Sequence, residues 1–277
     1  MDSPRRARDP QQGRNGHVRL ADPPPERRIG STAIPDRVVV AGLAVAVIAV
    51  LVQTAAHLGN AAFLDNRFTL LSADAEGTPF SWASTVACFA AAFAVLLAAA
   101  AFPALAPRLL LLAAILAFFS LDDAVGLHER LGAELLSPLL GLPAYTSRLL
   151  WPAVYVPLLL LAVALLWRLA REGPTRARHS VRLGVALLAG AVAAEAASTL
   201  LFRLGVTHGD RIDFFEVALE EGAELAGWIF VAAGLTSCAL HTLGLSAAEL
   251  AHRERRPAPA TVAPAAQPAV ERVRVLT

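Results

Sequence analysis

Six continuous apolar runs dominate this chain, at about 38–57, 82–104, 108–129, 149–169, 181–202 and 214–240. A helix needs roughly 20 apolar residues to cross the hydrocarbon core of a bilayer, and in lipid each backbone N–H and C=O must be satisfied within the structure itself. The runs are rich in Ala and Leu and show no period-2 alternation, so they predict helices and not strands. The expected fold class is therefore all-α, a polytopic transmembrane helical bundle with six spans. Composition agrees: 56% of the 277 residues are hydrophobic, only 17% are charged, and mean hydropathy is +0.55. Soluble domains of this size carry about a quarter of their residues as charges.

The segments between the runs read as turns and tails. Pro103 and Pro107 mark the second connection and Gly173-Pro174 the fourth. Residues 132–148 hold Pro138, Gly141 and Pro143 among leucines, too short and broken to span, and predict an interfacial or re-entrant segment. Residues 1–36 are Arg- and Pro-rich without apolar periodicity and read as a disordered tail. Residues 37–241 form the transmembrane domain, with its first run a signal anchor, and 242–277 form a second disordered tail. Cys88 and Cys238 fall at different depths, so no disulfide is expected.

Arginine sets the orientation. All 24 basic residues are Arg, and under strict alternation only Arg67, Arg130, Arg148, Arg203 and Arg211 fall on the second side. Cytoplasmic connections carry the excess of positive charge. Both termini are thus expected in the cytoplasm, with the protein in a bacterial inner membrane and the 58–81, 130–148 and 203–213 connections outside. The Arg clusters flank spans, so topology accounts for them. Membrane lipids are the expected partners and nucleic acid is not.

Against this apolar background the acids are conspicuous. The third run ends Ser120-Leu121-Asp122-Asp123-Ala124-Val125-Gly126-Leu127-His128-Glu129-Arg130, and the sixth carries Glu216, Glu220, Glu221 and Glu224. With the alternating topology these residues, Glu195, and Gln53, Thr54 and His57 of the first run share one depth below the outer surface. Ser81, Ser84 and Thr85 of the second run join them. At about 100° per residue Asp122 and Glu129 share one stripe, and Glu216, Glu220 and Glu224 share another. An acid facing lipid at mid-helix costs roughly 2.5–3.5 kcal/mol, so both stripes should face a common interior. Crowded carboxylates need protons, Arg partners or a cation to neutralise them. Arg130, Arg148, Arg203 and Arg211 are the nearby Arg candidates, with Asp123 placed to pair with Arg130.

A divalent metal (Zn, Mn, Fe, Mg or Ca) is the expected occupant. Asp122, His128, Glu129, Glu220 and Glu224 are the first ligands, with Glu195 added, while Asp123, His57, Glu216 and Glu221 complete the polar cavity. Carboxylates with imidazole suit Mn, Fe or Zn, and carboxylates alone suit Mg or Ca. A bound metal would acidify its water, and a spare carboxylate would act as base, which points to hydrolysis of a bond in a lipid. Proton- or cation-linked transport is the rival, although the other halves of the helices are apolar. A structural salt-bridge network or assembly role is the third reading. Di-iron Glu-x-x-His pairs, the zinc-protease pattern, a nucleophile elbow, a Walker loop and a dinucleotide fingerprint are all missing. Trp82, Trp151 and Tyr145 read as an aromatic belt, and Gly184 and Gly190 as points of close helix contact.

At Leu121-Asp122-Asp123-Ala124…Leu127-His128-Glu129 and Glu220-Glu221…Glu224-Leu225…Gly227 the chain resembles a group of multi-pass bacterial membrane proteins to which no activity is attached. The resemblance spans the third to sixth runs and implies a membrane bundle, with no catalytic role carried over. Alkaline-ceramidase-like membrane hydrolases carry paired His on a late helix, where this chain has Glu.

Overall fold

The computed structural model describes residues 33–143, 146–206 and 211–255. They form α1 (Ala33–Phe63), a 3-10 turn (Thr69–Leu71), α2 (Pro79–Ala101), α3 (Ala106–Val125), α4 (Leu127–Arg130), a π-helical turn (Leu131–Leu136), α5 (Ser137–Leu139), α6 (Ser147–Glu172), α7 (Thr175–Arg203) and α8 (Arg211–Arg255). The described residues contain no strand, as the unbroken apolar runs predict. Of the expected tails, residues 1–32 and 256–277 lie outside the described residues, as do Tyr145 and the side chains of Glu129 and Arg148. Where a tail is expected from 242, residues 242–255 instead continue α8.

Five of these helices are long and apolar enough to cross a membrane: Ile34–Phe63, Pro79–Ala101, Leu150–Glu172, Thr175–Ser198 and Arg211–Gly244. The third run is shorter than expected and is not among these five. It does not continue to 129, because Gly126 takes a left-handed conformation (φ 59°) and ends α3. A residue with a Cβ pays a steric penalty there that glycine avoids. With the helix broken, the regular 100° spacing no longer carries across 126. Beyond the break the chain winds through the π-helical turn and α5, and Leu135, Leu139, Leu140 and Leu142 are left exposed.

The helix starts follow from local chemistry. The Thr78 hydroxyl accepts the Ser81 N–H at 3.2 Å and Pro79 takes the first helical position, which caps α2. Pro107 does the equivalent in the first turn of α3. Packing relies on small residues. On α7, a Cβ at Gly184 would lie 2.6 Å from the Gly227 carbonyl oxygen on α8. A Cβ at Gly234 would lie 2.6 Å from Val181 Cγ2. These glycines let the two backbones approach within van der Waals contact. Gly190, expected to share that role, faces open space, and Gly227 and Gly234 are its replacements.

Contacts fix the helix directions. Gly42 meets Ala233 and Gly222 faces Val50, so α1 and α8 run antiparallel. Ser180 on α7 donates to the Phe230 carbonyl on α8, and Cys88 on α2 to the Leu116 carbonyl on α3. The main apolar core joins Ala91, Val95, Ala98, Leu112, Leu116, Leu166, Val181, Val231 and Leu235 from α2, α3, α6, α7 and α8. A second cluster gathers Phe119, Trp151, Tyr155 and Ala162 where α3 meets α6. Apolar side chains of α1 and α6, among them Ile48, Leu51, Leu160 and Val154, point outward, which suits a lipid surround and not water. Both cysteines are buried and free.

Candidate functional site

Beside the second cluster lies a cavity of about 290 Å³. Its upper wall carries eight carboxylates, those of Asp74, Glu76, Asp122, Asp123, Glu195, Glu220, Glu221 and Glu224, together with His128. No Arg lines it among the described residues. Phe119, Trp151, Tyr155 and Trp228 supply aromatic walls. Below the acids the lining turns apolar and descends between α6 and α7 past Leu159, Leu166, Val185 and Leu188.

The break at Gly126 builds one side of this site. It turns α4 back so that the His128 N–H donates to Asp122 Oδ1 at 2.9 Å, while His128 Nδ1 lies 3.0 Å from Asp122 Oδ2. The Tyr155 hydroxyl donates to Asp122 Oδ1 at 3.0 Å, and the His128 ring packs 4.6 Å from that of Trp151. Asp122 is thus gripped from the α4 backbone, the α4 side chain and α6. Neutral groups donate to three of the other carboxylates. Trp151 Nε1 donates to Glu195 Oε1 at 2.7 Å, and the Thr85 hydroxyl to Asp123 Oδ2 at 2.6 Å. Glu224 Oε1 accepts from the Ser84 hydroxyl (3.3 Å) and from Trp228 Nε1 (3.2 Å). Such bonds offset part of the cost of holding carboxylates in a low-dielectric interior.

A loop closes the upper rim. Asn60, 1% exposed, donates to Asn66 Oδ1 and the Phe68 carbonyl and accepts the Phe68 N–H. His57 Nδ1 accepts the Ala73 N–H at 3.1 Å. Together they pin residues 66–73, and Asp74 and Glu76 follow directly onto the rim. The Ser81 hydroxyl donates to Glu76 at 3.2 Å.

Of the residues singled out by sequence, Asp122, Asp123, His128, Glu195, Glu220, Glu221 and Glu224 meet in this one cavity. His57 and Glu216 do not line it; His57 packs against the Phe214 ring and the 73 backbone instead. Among the described residues no three His, Cys, Asp or Glu side chains converge closely enough to hold a metal ion. Three of the four expected Arg partners do not line the cavity. Arg130, Arg203 and Arg211 are exposed, and Asp123 bonds to Thr85, not to Arg130. Trp151, read as an interfacial belt residue, is 8% exposed and bonded to Glu195, whereas Trp82 is 67% exposed as a belt residue would be. Tyr155, Trp228, Asp74 and Glu76 were not signalled by sequence. The Ala-Asp-Ala-Glu stretch at 73–76 lies in a connection, where acids are ordinary, and a Tyr or Trp in an apolar run reads as core.

This geometry belongs to a helical membrane-protein class with an acidic pocket set into its bundle. More particularly, the chain belongs to the family described as Domain of unknown function (DUF8692), whose model matches residues 37–238. That range covers α1 to most of α8 and so includes the whole site. No curated protein and no solved structure matches the chain.

Proposed function

We propose that this protein is a multi-pass inner-membrane protein that binds a cation in the acidic cavity, and that the cation is an organic ammonium carrying an apolar tail. One observation carries the reading: a single cavity joins eight carboxylates, with no Arg in its lining among the described residues, to an apolar trough between α6 and α7. The acids attract positive charge, the faces of Trp151, Trp228 and Tyr155 favour a weakly hydrated cation, and the trough suits methylene groups. Glu221 lines the cavity without a hydrogen bond or ion pair of its own, and so is the first carboxylate to meet the ligand. A divalent metal, the occupant expected from sequence, needs several oxygen or nitrogen ligands at about 2.0–2.6 Å. Here Asp122, Asp123, Glu195 and Glu224 are instead spread around the wall, each held by its own donor. Metal-dependent lipid hydrolysis therefore ranks below cation binding, as does transport, because the opposite half of the bundle is the apolar core. In this reading α3 is the sixth crossing. Its 20 residues reach about 30 Å, and it runs antiparallel to its neighbour α2. Both termini are then cytoplasmic and the cavity faces the outer leaflet.

The test is titration of the detergent-purified protein with short alkyl-trimethylammonium ions, read by quenching of Trp151 and Trp228. Saturable binding should tighten about fourfold per added methylene, or ~0.8 kcal/mol, and should weaken in Glu221→Gln. Metal content is measured on the same samples. Near-stoichiometric metal, lost in both Asp122→Ala and Glu220→Ala, would give the cavity to a divalent ion. Neither metal nor ammonium binding would leave the acids as a structural network.

A further inference from the structure

The α6–α7 hairpin, at the end of these helices away from the acidic cavity, presents the opposite charge. Arg168 and Arg171 close α6, and Arg176, Arg178 and Arg182 open α7. Arg176 pairs with Asp36 at 3.5 Å, and among the described residues it is the one member of this group that meets a carboxylate. Arg182 stacks on Trp167 with its guanidinium carbon 4.4 Å from the ring centroid, and Arg171 approaches the same indole at 5.5 Å. The Nε atoms of Arg178 and Arg182, one turn apart on α7, are both shut off from solvent and have no acceptor in the protein.

The positive-inside tendency explains why Arg residues sit at this end. It does not explain buried N–H groups, because an Arg serving only as a topological charge can extend its whole head into water. Each buried donor without an acceptor costs about 1–3 kcal/mol, and clustering like charges around one indole adds repulsion. An oxygen-rich anion relieves the repulsion, and once the two side chains turn to open their Nε atoms the planar guanidinium fork fits phosphate oxygens two at a time. The apolar surface beside the cluster indicates where the rest of the ligand goes. Trp167 is 40% exposed, and Leu160, Leu161 and Val163 lie exposed further along α6.

We infer that Arg171, Arg178 and Arg182 with Trp167 form a binding site for the phosphate of an acidic phospholipid, whose acyl chains lie along the exposed face of α6. The ligand chemistry is a phosphate group, which a lipid headgroup or free inorganic phosphate could supply, and the exposed leucines favour the lipid. The site is independent of the acidic cavity and stands whether or not that cavity binds a cation.

Native mass spectrometry of the full-length, delipidated protein tests this with three probes: phosphatidylglycerol, phosphatidylcholine and inorganic phosphate. Phosphatidylglycerol should bind at about one site at least tenfold more tightly than phosphatidylcholine, whose phosphate carries a choline cation that the Arg cluster repels. In Arg178→Gln/Arg182→Gln that preference should disappear. Arg178→Lys/Arg182→Lys keeps the charge, is the less disruptive change, and should retain only part of it, because Lys lacks the fork. Equal binding of the two lipids by wild-type protein, or an undiminished preference in the Gln pair, overturns the inference. Inorganic phosphate competing as effectively as the lipid overturns the lipid assignment.

Discussion

The indole N–H of Trp151 meets Glu195 at 2.7 Å in a buried setting, and that bond satisfies one oxygen of an acid carried within an apolar helix. Removing the buried donor costs Glu195 a hydrogen bond to a charged group, about 1.5–3 kcal/mol. Trp151→Phe should therefore destabilise the protein by about that amount, read as unfolding in mixed micelles with increasing dodecyl sulfate. Glu195→Gln keeps an oxygen for the indole and should lose clearly less. Equal losses in the two variants would mean that the indole matters for packing alone. Residue types were only partly legible in the sequence at this scale. Asp122, Glu195 and Glu224 are conspicuous because acids are costly in apolar runs. Their donors Tyr155, Trp151 and Trp228 are not, since each has a ring that belongs in a core whether or not its polar atom is used.

At the scale of the element, the decisive feature is the end of α3. Hydropathy carries the third run smoothly to 129, and a single Gly in an apolar run does not announce whether it permits packing or a break. The structure uses Gly126 for a break, at φ 59°, and with it brings the His128 N–H and imidazole onto Asp122. Gly126→Ala should cost about 1–2 kcal/mol from the left-handed backbone, and Gly126→Asn, which tolerates that conformation better, should recover part of it. Thermal unfolding of the purified variants orders the three proteins. If Ala proves as stable as Gly, α3 can run on through 126 and the Asp122–His128 contact is dispensable. The same limit applies to α7, where Gly184 and Gly190 look alike in sequence. Only the helix directions reveal that Gly184 meets Gly227 while Gly190 meets nothing.

For the whole molecule, what the sequence showed was depth. Acids collect toward one end of the apolar runs and Arg toward the other, and the fold keeps that sorting: a cavity rimmed by carboxylates at one end, an Arg-bearing hairpin at the other. What it hid was the lateral arrangement that turns shared depth into shared contact, because each helix rotation is set by its neighbours. The sorting also makes the orientation testable. Nineteen of the 24 Arg residues, including those of the α6–α7 hairpin, are assigned to the cytoplasmic side by the six-crossing arrangement, since translocating Arg is disfavoured. A periplasm-active reporter fused after Leu140 should therefore be active, and one fused after Gly173 silent, with a cytoplasm-active reporter giving the reverse. Those two sites are separated by α6 alone, so equal signals from both would remove α6 as a crossing. A third fusion, after Ala104, addresses α3: silence there in the periplasmic assay, with activity at Leu140, requires a crossing between them, and α3 is the only helix in that interval with about 30 Å of length. Activity at both 104 and 140 would instead leave α3 folded against the bundle on one side, with five crossings and the two termini on opposite faces of the membrane.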